Sequence, residues 1–158
     1  MDKWQEIYQN NRKLDSIFNE KYNNDEEIYQ KNCIELLVEL GEFINETKCF
    51  KYWSVKKPDK DKVLEEYADC ITMALYFMNG QELTNLPKPL ETNNILELVN
   101  YTFKKATELL HNKDEYLPKE ILSNILYIKD LLEIDEAELI NACKKKQDII
   151  LDRLNSDY

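Results

Sequence analysis

Four glutamates recur at helical spacing in a segment whose other side chains are apolar. The only polar side chains in residues 34–44 are those of Glu35, Glu39 and Glu42. Glu46 continues the series, and at 100° per residue all four lie within an arc of about 60° on one helix face. A helix that is apolar elsewhere is predicted to be buried. Because no lysine or arginine accompanies these carboxylates, we expect a divalent cation to neutralise them.

A second acidic pair follows about 24 residues further along the chain. Glu66 and Asp69 are one helical turn apart, and Asp69 is the only charged residue in residues 68–79. Aspartate is unfavourable inside a helix, so its place in an apolar one needs a reason. Two antiparallel helices would bring both acidic pairs together around one or more divalent ions; the residues concerned are Glu39, Glu42, Glu66 and Asp69.

A solvated acidic helix face is the alternative interpretation, and it is the usual one for a single E-x-x-E pattern. The missing lysines, the apolar remainder of the helix and the second acidic pair favour a metal site. With no histidine or paired thiolates nearby, oxygen ligation favours Mg²⁺ or Mn²⁺. The sole histidine, His111, follows Glu108 at E-x-x-H spacing, but a di-iron bundle needs this pattern on two helices and the sequence has only one histidine.

The segment between the two acidic helices is basic and aromatic. Six lysines lie between Lys48 and Lys62, and Trp53 lies among them. Lysines beside a metal site would neutralise a polyphosphate from both sides. The alternative is a solvated turn with an aromatic anchor in the core. A second basic group lies near the C-terminus, where helix-end cations also complement the helix dipole; it consists of Lys144, Lys145, Lys146 and Arg153.

Composition limits the class of protein. The chain has 158 residues, only two Gly and four Pro, 43% hydrophobic and 33% charged residues, and a net charge of −10. These values predict one all-α domain over residues 1–158, and the negative charge excludes nucleic acid as the main partner. We expect no signal peptide, no membrane-spanning segment and a cytoplasmic location. The four cysteines are then reduced core residues: Cys33, Cys49, Cys70 and Cys143.

Apolar periodicity and cap residues predict a bundle of about six helices. The expected spans are residues 3–22, about 28–47, a third beginning after Asp59 or Asp61 and ending at Asn79–Gly80, 95–110, 118–133 with Pro118 in the first turn, and a sixth from Asp135 to about Leu154.

Two runs of sequence resemble a known family. Residues 37–54, LVELGEFINETKCFKYWS, followed by residues 64–69, LEEYAD, resemble the dimeric all-α dUTPases. These belong to the wider MazG-like nucleotide pyrophosphohydrolases, whose mark is E-x-x-E, a spacer and E-x-x-D. The stretch N-E-T-x-C-F-K-x-W is specific to the dUTPase branch. The resemblance is close over residues 34–77 and loose elsewhere.

The resemblance implies a homodimer that binds a nucleoside triphosphate and hydrolyses it with Mg²⁺ and a metal-activated water. It implies dUTP, and dUDP, as substrates with dUMP as product. A MazG-like enzyme with another base preference and a non-catalytic helical interaction protein are the alternatives. The implied catalytic metal ligands are Glu39, Glu42, Glu66 and Asp69. The implied substrate-binding residues are Asn11, Lys51, Trp53, Thr72, Lys146 and Arg153.

This sequence departs from the family pattern outside the metal ligands. Asn11 stands where the family has Gln, and Thr72 stands where it commonly has His. Gln147 and Ile150 replace the two asparagines of the distal K-N-x-x-N-x-x-R motif, and Asp157 precedes Tyr158 in place of Gly. The resemblance therefore supports metal-dependent hydrolysis more strongly than uracil specificity.

Overall fold

The computed structural model describes residues 2–22, 27–78 and 80–156, and all regular structure in these ranges is helical. This confirms the predicted all-α bundle of six helices. The elements are α1 (Lys3–Tyr22), α2 (Ile28–Thr47), α3 (Lys60–Phe77), α4 (Ile95–Glu108), α5 (Tyr116–Leu131) and α6 (Glu136–Asn155).

Side-chain caps fix the start of several helices. Asp59 caps α3, because its carboxylate accepts hydrogen bonds from the backbone N–H groups of Asp61 and Lys62. Asp135 caps α6 in the same way through the N–H of Glu138. Of the two caps considered for α3, Asp59 is therefore the correct one.

Four helix boundaries differ from the prediction, and one of them is the end of α5, which lies at Leu131 rather than at residue 133. The helix α4 ends at Glu108, because the Leu109 N–H donates to the Ala106 carbonyl three residues back instead of to the carbonyl four residues back. The helix α5 begins at Tyr116, whose N–H donates to the Asp114 carboxylate at 2.9 Å. The helix α3 ends at Phe77, and the predicted end residue Asn79 lies outside the described residues.

The helix α3 lies at the centre and contacts α1, α2, α5 and α6. Its residue Tyr67 is fully buried and stacks on Phe43 of α2, with ring centroids 4.0 Å apart. The Tyr67 hydroxyl donates to the Ile125 carbonyl at 2.5 Å and accepts from the Lys129 N–H at 2.9 Å. One side chain thus joins three helices.

The helix α1 is held at its N-terminal half. The Tyr8 hydroxyl lies 2.7 Å from the Met78 carbonyl oxygen and 2.6 Å from that of Gln81, both just after α3. Gln147 of α6 is buried and donates to the Ile7 carbonyl at 2.8 Å. The departure from the family motif at Gln147 therefore serves helix packing.

Burial of α2 is one-sided, so the prediction that this helix is wholly buried is wrong. Leu36, Leu40 and Phe43 are 0% exposed, whereas Ile34 is 56% and Val38 50% exposed. The helices that contact α2 are α3 and α4, and its opposite face has no neighbour among the described residues.

The aromatic anchor considered for the lysine-rich loop is not found. Phe50 is 41%, Trp53 64% and Tyr52 95% exposed, so the loop over residues 48–57 keeps its rings at the surface. The four cysteines are free, and three of them are buried. None of the helices in the described ranges has the length and apolarity needed to cross a membrane.

Candidate active site

The two acidic helices run antiparallel, as predicted. Phe43, near the end of α2, stacks on Tyr67 near the start of α3, while Tyr29 at the start of α2 contacts Phe77 at the end of α3 at 5.8 Å between ring centroids. The E-x-x-E turn of α2 consequently lies opposite the E-x-x-D turn of α3.

This arrangement gathers three carboxylates into an acidic centre, which we define as Glu39, Glu42 and Glu66. One carboxylate oxygen from each lies within 4.8 Å of the others. Burial, followed by the charges of Asp69 and Glu42, raises the pKa of Glu39 to about 7. Burial also raises the pKa of Glu66, again with the charges of Asp69 and Glu42 adding to the effect. Each ionised carboxylate of the centre therefore makes the ionisation of its neighbours less favourable.

A divalent cation fits this centre. The Oε2 atom of Glu39 is buried and has no hydrogen-bond donor among the described residues. A buried carboxylate oxygen without a donor is costly unless another group binds it. Three clustered carboxylates with a free oxygen are the donor set that hard cations such as Mg²⁺ prefer.

Asp69 lies beside the acidic centre and contacts a cation of the protein itself. Its Oδ1 atom is 2.5 Å from Nζ of Lys146, and the two side chains are 14% and 21% exposed. Burial raises the pKa of Asp69, although the Lys146 ammonium opposes this shift. The structure thus places three of the predicted ligands together and the fourth next to them; the role of all four as metal ligands remains a prediction.

A cavity of about 350 Å³ opens between α1, α2, α3 and α6. Cavities of this size hold small-molecule ligands. Six of the predicted site residues line it: Asn11, Glu39, Asp69, Thr72, Lys146 and Arg153. Lys51 and Trp53 do not line it, because they lie on the exposed loop after α2.

The remaining lining is largely apolar and aromatic, and includes Leu14, Phe18, Met73, Tyr76 and Ile150. A cavity with acids and cations on some walls and apolar rings on others suits a ligand that has an anionic part and a flat neutral part. Ile150 belongs to this lining and is only partly buried, so it is a residue of the cavity wall rather than of the core.

Sequence reasoning missed the cavity residue Asp15. Burial raises its pKa from 3.8 to about 7, although Asn11 and Arg12 oppose the shift. Asn11 is 0% exposed, and its Nδ2 donates to Asp15 Oδ2 at 3.1 Å and to the Thr72 carbonyl at 3.4 Å. The i, i+4 spacing of Asn11 and Asp15 was the available signal, but it looks the same on a solvated helix face.

Asp15→Asn is expected to stabilise the protein more at pH 8 than at pH 5. The folded-state pKa of Asp15 is about 7, above its ordinary value of 3.8, so the folded protein binds a proton that the unfolded chain has lost. Stability therefore falls as the pH rises toward 7. The amide removes this loss, and its gain in the free energy of unfolding should be about 1–3 kcal/mol larger at pH 8.

Urea unfolding in EDTA at both pH values measures this gain. The matched control is Asp148→Asn, at an exposed position of α6, which should change little at either pH. Equal gains for Asp15→Asn at pH 5 and pH 8 would show that burial does not hold the proton on Asp15.

Comparison with known families agrees with this geometry. The sequence model of a family described as dUTPase matches residues 3–158, almost the whole chain. A search of curated individual proteins gave no match. The family match and the six-helix fold together show that the chain belongs to the all-α dUTPase family and is a nucleotide hydrolase of that type.

Proposed function

We propose that the protein is a Mg²⁺-dependent nucleoside triphosphate pyrophosphohydrolase that converts dUTP, and also dUDP, to dUMP. The observation that carries the proposal is the acidic centre, with its unpartnered Glu39 oxygen, beside a cavity that also holds the cations Lys146 and Arg153. Opposite charges at one cavity are what a metal-bound polyphosphate requires.

The acidic centre and Asp69 are the proposed ligands of two or more Mg²⁺ ions, and Mn²⁺ is expected to substitute. When bound, Mg²⁺ lowers the pKa of a coordinated water and neutralises charge on the phosphates. The Oε2 atom of Glu39, which has no donor among the described residues, is proposed to be one of the oxygens that bind these ions.

The cavity residues of α6 are proposed to bind the phosphates. Lys146, Ile150 and Arg153 lie on one face of α6, and all three line the cavity. The two cations neutralise phosphate oxygens and help the leaving pyrophosphate accept charge. Apolar and aromatic walls exclude water from the base and sugar.

Asn11 and Thr72 are the proposed contacts of the nucleoside. Asn11 uses its Nδ2 group within the protein, while its Oδ1 atom has no donor among the described residues. The Thr72 hydroxyl donates to the Ala68 carbonyl at 2.8 Å, so that it offers the ligand only an acceptor.

A different base preference is the second candidate function. It is favoured by one observation: three of the departures from the family pattern, Asn11, Thr72 and Ile150, line the cavity. The metal-dependent step would be the same in that enzyme, and selectivity alone would change.

We further propose that the protein is a homodimer. Ile34 and Val38 are 56% and 50% exposed on α2, and such neighbouring apolar side chains are typical of an interface. Trp53 and Lys51 lie outside the cavity of their own chain. Their proposed role in nucleotide binding therefore requires their loop to close on this cavity or to reach that of a second copy.

Glu42→Gln is expected to lower kcat/KM for dUTP by roughly 100-fold or more. The amide keeps the shape of the side chain but removes a charge from the acidic centre, so metal binding weakens while the helix stays folded. Pyrophosphate release with Mg²⁺ measures the effect. Glu65→Gln, at an exposed neighbouring position, is the matched control and should retain activity. Full Mg²⁺-dependent activity of Glu42→Gln would refute the site.

Ile150→Asn is expected to tighten nucleotide binding and to sharpen selectivity for dUTP over dTTP and dCTP. An amide in the cavity supplies hydrogen bonds that a wrong base leaves unpaired, which Ile150 cannot do. Affinities and rates for a panel of nucleotides measure the change and also identify the preferred base. A lower melting temperature without any gain in affinity would mean that the amide is left unsatisfied, at a cost of about 1–3 kcal/mol.

Light scattering of the wild-type protein is expected to give about twice the chain mass of 18.9 kDa. Ile34→Lys places a charge on the exposed face of α2 and should shift the protein toward monomer. Leu96→Lys is the control, since Leu96 is similarly exposed, at 49%, but lies on another helix, α4. A monomeric wild-type protein would contradict the proposed dimer.

A further inference from the structure

The ion pair between Asp69 and Lys146 joins α3 to α6 at the cavity wall. Its atoms are 2.5 Å apart, and both side chains are largely buried. Asp69 Oδ1 has no other donor among the described residues, and Lys146 lowers the pKa of Asp69 through its hydrogen bond and its charge. Lys146 can therefore leave Asp69 only when another anion replaces Asp69 as its partner.

The Lys146 ammonium lies close enough to the acidic residues for its charge to stabilise their ionised forms. Asp69 lies one helical turn after Glu66, and its charge acts on both Glu66 and Glu39. The charge of Lys146 in turn opposes the raised pKa of Glu39 and of Glu35. Among the described residues, no other lysine or arginine forms an ion pair with Asp69 or with the acidic centre.

We propose that Lys146 gates metal binding: in the nucleotide-free enzyme its ammonium occupies Asp69 in competition with the divalent cation, and the phosphates of the nucleotide draw it away. This inference rests on the proposed function, because it takes Asp69 as a metal ligand. Its consequence is an order of events. Metal binds weakly to the free enzyme and strongly once a polyphosphate has engaged Lys146.

The exchange is favourable because each charge keeps a partner throughout. A lysine ammonium is a compact charge on a flexible four-carbon chain with three rotatable donors. Leaving a partly buried carboxylate without a partner is costly, so Lys146 should move only when a phosphate oxygen replaces Asp69 and a metal ion replaces Lys146. Nucleotide must then raise metal affinity by the factor by which metal raises nucleotide affinity.

Arg153 provides the matched control for the contact. It lines the same cavity on the same face of α6 as Lys146, and its positive charge also acts on Asp69. Its guanidinium forms no ion pair with Asp69 in the described residues. Substituting Arg153 therefore removes the same charge from the cavity without releasing Asp69.

Mn²⁺ binding to the nucleotide-free protein, measured by electron paramagnetic resonance, tests the proposal. Lys146→Gln should bind Mn²⁺ about tenfold more tightly than the wild type, or about 1.4 kcal/mol. Arg153→Gln should bind it less than about threefold more tightly. Lys146→Arg keeps a cation on Asp69 and should match the wild type. Circular dichroism establishes that each variant is folded.

Either of two results would overturn the gate while leaving the metal site in place. If Lys146→Gln binds Mn²⁺ no more tightly than the wild type, the ammonium does not compete. If Arg153→Gln gives the same gain as Lys146→Gln, the effect is that of the general field and not of the contact. Absence of Mn²⁺ binding in every variant would overturn the gate together with the metal site on which it depends.

A second titration separates the gate from the identity of the substrate. In the presence of a non-hydrolysable dUTP analogue, the gain in Mn²⁺ affinity should be larger for the wild type than for Lys146→Gln. If Lys146→Gln binds Mn²⁺ tightly but the analogue has no effect on either protein, the gate stands and dUTP is the wrong nucleotide. Equal gains in both proteins would contradict release of Lys146 by phosphates.

Discussion

The stacking of Phe43 on Tyr67 is the interaction on which the rest of the site depends. Each ring directly follows a member of the acidic centre, since Glu42 precedes Phe43 and Glu66 precedes Tyr67. Burying two such rings is favourable by about 1.5–3 kcal/mol each, and the ring pair adds about 0.5–1.5 kcal/mol. These gains oppose the mutual repulsion of the carboxylates. The hydrophobic contact thus holds negative charges together before any cation arrives.

Local chemistry explains which parts of this arrangement could be predicted from the sequence. Caps act over two or three residues, so Asp135 and the Asp59 alternative could be identified directly. The acidic residues could be identified because helical spacing places them on one face and because the segment lacks lysines. Ile150 was recognised as a departure, but its place in the cavity needed the packing of α6 against α1 and α3.

The sequence alone does not determine which face of each helix packs against a neighbouring helix. The apolar pattern that includes Ile34 and Val38 predicts a buried helix, yet α2 has neighbouring helices on one face only. Apolar residues that belong to a core and those that belong to an interface cannot be distinguished in a sequence. Asp15 shows the opposite error, because it was not expected to be buried. Its burial depends on helices that are distant in the sequence. The ion pair of Lys146 with Asp69 likewise joins residues that only the folded chain brings together.

The attachment of α1 has a mechanical consequence for the cavity. Its first half is pinned by Tyr8 to the end of α3 and by Gln147 to α6. Phe18, in its second half, also lines the cavity but is 38% exposed. The helix α1 is therefore held by buried hydrogen bonds in its first half, whereas the turn that carries Phe18 forms a partly exposed part of the cavity wall. Because exposed turns open at a lower free energy than buried ones, we expect a ligand to displace this turn more readily than the first half of α1.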